Sequence, residues 1–275
     1  MATTNPLQAA LQAAVDDGAF PGAVLAVRLR GTLIYEGAVG RLSPQIPGEG
    51  VTIHTCYDLA SLTKVLATTT ALLLLMQRGK LMLDDRIDRI LIELQGSAAG
   101  AASIHQLLTH SSGLPGWRPY YERLASLEAG QSGFPGRTAA REAVLGYIAQ
   151  EALVYERGSR SLYSDLGFML LGWAVERLAG ESLDQFCNNQ IYRPLEAQPL
   201  AYVPRRSQTM PVASSESHAI APTEADPWRG RTLCGEVHDE NAFALGGVAG
   251  HAGLFGSARA VLAVAKAWLD GRRGK

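Results

Sequence analysis

The amino-acid sequence predicts an α+β fold, a sheet unit interrupted by a long helical insertion. Three observations carry that prediction. Residues 22–40, "GAVLAVRLRGTLIYEGAVG", are two β-rich runs around Arg30-Gly31, the pattern of an antiparallel hairpin. From about residue 80 to 200 the apolar positions recur mostly with the 3.6 period of helices. After residue 236 the chain returns to mixed structure, glycine-dense at first and then helical.

Each element follows in chain order. "PLQAALQAAVDDG" (6–18) has helically spaced apolar residues and a glycine stop, so it predicts an amphipathic helix before the hairpin. "SLTKVLATTTALLLLMQRG" (61–79) predicts a buried helix closed by Gly79, and "KLMLDDRIDRILIEL" (80–94) a further short helical run. Three amphipathic segments follow at 139–153, 164–180 and 182–195, with Ser164 and Ser182 as N-caps. Residues 201–235, rich in Pro, Ser, Thr and Arg, predict a long connection, and "ARAVLAVAKAWLDG" (258–271) a last helix. This places a sheet domain in 1–79 and 236–275 and a mainly helical domain in 80–235.

Composition narrows the function classes. The 275 residues carry a net charge of −1 with no long run of one sign, which argues against a nucleic-acid partner. The three cysteines are odd in number and far apart, which argues against a disulfide framework or a zinc knuckle. The first residues lack a basic region followed by a sustained apolar one, and the most apolar run, "VLATTTALLLLM", is too short to span a bilayer. The expectation is a cytoplasmic protein with no membrane partner, no metal and no cofactor.

Ser61 and Lys64 are the first candidates for chemistry. Residues three apart on a helix share a face, so an ammonium can reach the hydroxyl. Apolar neighbours such as Leu62, Val65 and Leu66 can desolvate the amine, and the helix N-terminus aims backbone N–H groups at any anion formed there. The bland reading, a polar first turn with a surface lysine, stays open on this motif alone, although the chain has only four lysines. No G-x-S-x-G elbow, HExxH, GxxxxGK[ST] or strand-preceded GxGxxG competes with it. His105 and His110 lack partners at ligand spacing and are read as structural. His238, Asp239 and Glu240 in "VHDEN" are discounted as metal ligands because adjacent extended residues face opposite ways. Tyr163, directly before the N-cap Ser164 and two residues from Asp165, has the position for a general base, against the plainer reading of a buried aromatic.

"YDLASLTKVLATTTALLLLMQRGKLMLDD", "IHQLLTHSSGLPG", "YSDLGFMLLGWAVERLAG" and "VHDENAFALGGVAGHAGLFGSA" occur in this order from about Phe20 to the end. In that order and rough spacing they resemble the serine β-lactamase-related family, which holds class C β-lactamases, D-Ala-D-Ala carboxypeptidases and family VIII carboxylesterases. The resemblance implies a β-lactamase/transpeptidase-like fold, an antiparallel sheet flanked by helices beside an all-α domain. It also implies Ser61 as acyl-enzyme nucleophile, Lys64 as its proton-handling partner and Tyr163 as the base that later protonates the leaving group.

Two departures shape the expected activity. The family's Tyr-x-Asn motif reads Tyr-Ser-Asp here, and an ionised Asp165 can only accept hydrogen bonds, so it should hold Lys64 charged and repel anionic ligands. The family's third motif is Lys-Thr-Gly or His/Trp-x-Gly on a sheet strand. His251-Ala252-Gly253 has the letters, but its surroundings resemble the block before that strand. The expectation is that the third motif and the last sheet strands are missing from this chain, leaving an incomplete sheet edge that invites self-association. The leading function is a serine carboxylesterase on short acyl esters, with Asp165, Trp117, Tyr120 and His251 as substrate-binding candidates and Tyr121 beside them. β-Lactamase or D-Ala-D-Ala carboxypeptidase activity is the enzymatic alternative, taking a lactam or peptide in place of an ester. A non-catalytic binding module or inactive fragment is the alternative of another class.

Overall fold

A computed structural model of the chain describes residues 5–43, 50–127, 137–205 and 219–274. Helix α1 (Pro6–Asp16) starts at Pro6, where a missing N–H costs nothing, and the Asn5 side chain accepts from Leu7 N at 2.9 Å. It lies on the hairpin, with Gln8 Nε2 donating to Ala38 O at 3.2 Å. Strands β1 (Gly22–Leu29) and β2 (Thr32–Gly40) pair antiparallel as predicted. Arg30 (φ 50°) and Gly31 (φ 89°) both take the left-handed conformation that a two-residue hairpin turn requires. A bulge between Val27 and Arg28 bends the ribbon.

Strand β3 (Tyr57–Asp58) leads into the predicted Ser61–Gly79 helix, which is not a regular α-helix. Residues Lys64–Thr69 are wound as a π-helix before α2 (Thr70–Gln77) resumes the α-pitch. The threonines supply the reason. Thr69 Oγ1 donates to Lys64 O at 2.7 Å and Thr70 Oγ1 to Val65 O at 2.8 Å, both reaching five residues back into the widened turn.

In the helical block the 80–94 run is two 3₁₀ turns, Ile87–Arg89 and Ile92–Leu94. Helix α3 (Ile104–Leu108) opens on a capping box made by Ser103 and Gln106, and α4 (Tyr120–Leu127) and α5 (Arg137–Ala149) follow. Central to the block is α6 (Asp165–Ala179), buried at every position from Leu166 to Val175 and ended by Gly180 in the left-handed conformation. Ser164 caps it through its side chain, whereas Ser182, the N-cap of α7 (Leu183–Cys187), makes no such bond.

The predicted connection 201–235 is partly strand, its residues 206–218 lying outside the described residues. Strand β4 (Leu200–Tyr202) precedes them, and β5 (Ala225–Asp226) pairs with β6 (Arg231–Thr232) in a small ribbon. Helix α8 (Glu240–Ala244), β7 (Leu254–Gly256) and α9 (Ala258–Arg272) complete the chain. β7 is the middle strand of an antiparallel β3–β7–β4 sheet, and α9 packs on β1. Helices flank antiparallel strands, but the seven strands among the described residues fall into three sheets, none wider than three strands. β4 places residues 200–202 with the sheet rather than with the helical part predicted for 80–235. One continuous apolar core runs from Leu66 through α6 to Val264, across both predicted parts.

Candidate active site

Ser61 stands exposed on the turn between β3 and the π-helix. Ala60 before it has φ 44°, a left-handed conformation rare for a residue with a Cβ, and its N–H is held by Asp58 Oδ1 at 2.8 Å. The other oxygen of Asp58 accepts from His238 N at 2.7 Å, and burial pushes this carboxyl's pKa up. Leu59 N donates to Leu254 O at 2.8 Å, and Leu254 N to Thr63 Oγ1 at 3.1 Å. The turn is therefore bolted to the central strand.

Lys64 is buried, and its Nζ meets three acceptors: Ser61 Oγ at 2.9 Å, Asp165 Oδ1 at 2.7 Å and His251 O at 3.1 Å. Three N–H donors facing three oxygens is the complement of an ammonium. The Tyr163 and Phe168 rings lie 4.8 and 5.8 Å from the same nitrogen. Lys64 thus joins Ser61 and Asp165, with the Tyr163 ring beside its nitrogen.

Tyr163 itself is 52% exposed, at the lip of the site. The "HSSGLPG" loop (110–116) fixes the residues around it. Asp165 N donates to Gly116 O at 2.8 Å, Ser164 Oγ to Pro115 O at 2.7 Å and Ser164 N to His110 Nδ1 at 3.0 Å. His110, read from sequence as structural only, is therefore part of the surroundings of Tyr163, with ring centroids 4.5 Å apart. The sequence signal for this is that His110 directly opens the Ser-Ser-Gly-Leu-Pro-Gly loop.

The substrate-binding candidates divide. Trp117 is 42% exposed beside that loop and lies 6.4 Å from the Tyr121 ring, which meets Trp228 edge-on at 4.6 Å. Tyr120 points the other way: it is buried and its hydroxyl donates to Glu151 Oε1 at 2.9 Å, so it does not line the site. The ring of His251 is also buried, with Nε2 2.9 Å from Asp239 Oδ1. His251 serves Lys64 through its carbonyl, and the strand begins three residues later, so its ring does not occupy the third-motif position.

Asp239 and Asn241 were discounted or unnoticed in sequence. Although burial opposes ionisation of Asp239, His251 and the Ala242 N–H hold its pKa down at about 2. Asn241 accepts from Tyr121 N and donates to Arg118 O, both at 2.9 Å, tying α8 to the aromatic rim. Among the described residues no group of three or more His, Cys, Asp or Glu could hold a metal ion.

The family model described as Beta-lactamase matches residues 7–275. This chain belongs to the beta-lactamase family. Among beta-lactamase family members it is 37% identical, over 86% of its length, to an Escherichia coli (strain K12) protein with a provisional D-alanyl-D-alanine carboxypeptidase name. It is 33% identical over 87% of its length to an N-acetylmuramyl-L-alanine amidase of Bacillus subtilis (strain 168). The chain spans little more than half the length of these two relatives, 55% and 57%. A solved structure of EstCE1, described as a hydrolase with promiscuous acyltransferase activity, superposes with TM-score 0.68 at 25% identity, over 94% of this chain and 70% of that one. Among the described residues of this beta-lactamase family chain, no helix is long and apolar enough to cross a membrane.

Proposed function

We propose that this protein is a serine hydrolase that works through an acyl-enzyme, and that its substrates are short, neutral acyl esters. The observation that carries the reading is the 2.9 Å contact between Lys64 Nζ and Ser61 Oγ inside a three-acceptor cage. Because all three Lys64 N–H bonds are committed as donors, Ser61 keeps its own proton for another acceptor. Tyr163, beside the same ammonium, takes that role. Ser61 Oγ attacks the ester carbonyl, its proton passes to the phenolate oxygen of Tyr163, and the tetrahedral oxyanion is met by the Ser61 N–H at the helix start. Tyr163 then returns the proton to the leaving alkoxide, and water releases the acyl group by the reverse path.

Asp165 favours neutral substrates. It already neutralises Lys64, and it presents oxygen acceptors where a carboxylate-bearing lactam or peptide would need donors. The exposed Trp117, with Tyr121 and Trp228 behind it, offers an apolar rim for the acyl or alcohol portion.

Treatment with a fluorophosphonate followed by intact-mass measurement tests the reading. Stoichiometric labelling that vanishes in Ser61→Ala is the expected result, and an unlabelled wild type would overturn it in favour of a binding module. The relatives' carboxypeptidase and amidase names make amide bonds the second substrate class to assay. Asp165→Asn is expected to raise acylation by a carboxylate-bearing lactam relative to turnover of p-nitrophenyl acetate.

A further inference from the structure

His110 holds the residues on both sides of Tyr163. Its carbonyl accepts from Leu162 N at 2.9 Å, and its ring Nδ1 accepts from Ser164 N at 3.0 Å. The same ring lies against Tyr163 itself, centroid to centroid 4.5 Å with a 36° tilt, and 5.2 Å from Phe168. The His110 backbone is left-handed (φ 57°), rare for a residue with a side chain, and the Tyr155 hydroxyl locks its carbonyl at 2.8 Å. Such an outlier persists only where the surroundings over-determine it.

We propose that His110 is the positioning residue for Tyr163, and that the site works only while this imidazole is neutral. The chemistry follows from the donor inventory. With Nδ1 accepting from Ser164, the neutral ring carries its proton on Nε2. Protonation would place a second N–H on Nδ1, facing the Ser164 N–H donor to donor, and would set a new cation near the Lys64 ammonium. Both effects release the ring and the tyrosine it braces.

The titratable groups facing His110 are Lys64 from the π-helix, Asp165 from α6, and Tyr163 and Tyr155 from the connecting segment. Burial, then Lys64, lowers the His110 pKa against the opposing pull of Asp165, and the Ser164 N–H donated to Nδ1 also favours the neutral ring. The neutral form is therefore present above that lowered pKa. It is lost as pH falls through it, which gives the site an acid limb below the ordinary histidine value of about 6.5.

Only the activity readout of this proposal rests on the serine-hydrolase reading, so the test pairs it with one that needs no turnover. In the full chain, imidazole ¹⁵N spectra are recorded against pH, and His110 is assigned by comparison with His110→Asn. The expected result is an Nε2–H tautomer, a midpoint below about 6.5, and Tyr163 ring resonances that move through the same midpoint. Those movements should be absent in His110→Asn, whose side-chain oxygen keeps an acceptor near the Nδ1 position and tolerates the left-handed backbone.

Fluorophosphonate labelling of Ser61 supplies the second readout. Wild-type labelling is expected to fall through the His110 midpoint. His110→Asn should retain labelling within about tenfold at pH 8 and lose that limb, and His110→Ala should lose about a hundredfold with little change in KM for p-nitrophenyl acetate. A Nδ1–H tautomer, a midpoint at or above the ordinary value, or an acid limb unchanged in His110→Asn would overturn the proposal. A wild type that never labels sinks the hydrolase reading instead, and the Tyr163 resonances then decide the positioning role alone.

Discussion

At the scale of single residues, the site is a contest over protons and acceptors. Lys64 shares its ammonium among a hydroxyl, a carboxylate and a carbonyl, so replacing it strips Ser61 of its polarising donor and leaves Asp165 without a counter-charge. Lys64→Ala should lower fluorophosphonate labelling by at least about a hundredfold, the loss typical of one well-placed donor. Stopped mass-spectrometric time courses would read that directly. Asp239 supplies a second test. Its carboxyl is held at about 2 against an ordinary 3.8, so it stabilises the fold above the ordinary value and loses that contribution as pH falls towards 2. Urea unfolding of Asp239→Asn should show a deficit on the order of 2 kcal/mol at pH 7 that shrinks below pH 4 and disappears near pH 2. A deficit that stays constant across that range would remove the carboxylate from the account.

Among the elements, the decisive one is the wound segment that carries Lys64. A regular helix from Ser61 would serve the i, i+3 contact, but the threonine side chains widen the turn into a π-helix at Lys64. The glycine loop before β7 completes the acceptor set of Lys64 by close approach. A Cβ on Gly250 would sit 2.1 Å from Phe168 O and 2.8 Å from Gly172 Cα, so only glycine lets this loop lie on α6. That approach puts Gly250 O in reach of the Thr68 hydroxyl at 2.7 Å and His251 O in reach of Lys64. Gly250→Ala should cost about 1–3 kcal/mol, the range for overpacking a filled interior, and should also slow Ser61 labelling. Labelling at the wild-type rate would mean that the loop position does not govern Lys64. On the β5–β6 ribbon, buried Arg229 joins Asp226 at 2.7 Å and Glu236 at 3.1 Å. Arg229→Met strands buried Asp226 and leaves Glu236 to Arg231 alone, and is expected to cost about 3–5 kcal/mol in a thermal or urea melt.

Across the whole molecule, the apolar core ignores the predicted boundary between sheet and helical parts. Leu72, Leu171, Tyr202 and Phe255 belong to one cluster, although they come from opposite sides of it. Unfolding should therefore be a single cooperative event, with tryptophan fluorescence and far-ultraviolet circular dichroism changing together in urea. Two resolved transitions would show that the parts hold separate cores. Leu72→Ala, at a fully buried position, should lower the midpoint by the equivalent of about 2–5 kcal/mol.

The sequence by itself determined what depends on near neighbours. The hairpin followed from Arg30-Gly31 between β-rich runs, and α6 from its serine cap and apolar run. The Ser61–Lys64 pair followed from a spacing of three. These are properties of backbone periodicity and turn chemistry, which act over a few residues. Only the tertiary structure decided what each side chain faces once segments distant in the chain pack together. Tyr120 turned to Glu151 while its neighbour Tyr121 turned to Trp228, a choice set by how α4 seats on the core. His251 lends a carbonyl rather than a ring because the glycine loop, pressed on α6, buries the imidazole against Asp239. His110 reaches residues more than fifty positions away only because the loop after α3 wraps the start of α6. Such contacts depend on three-dimensional paths, and no local pattern encodes them.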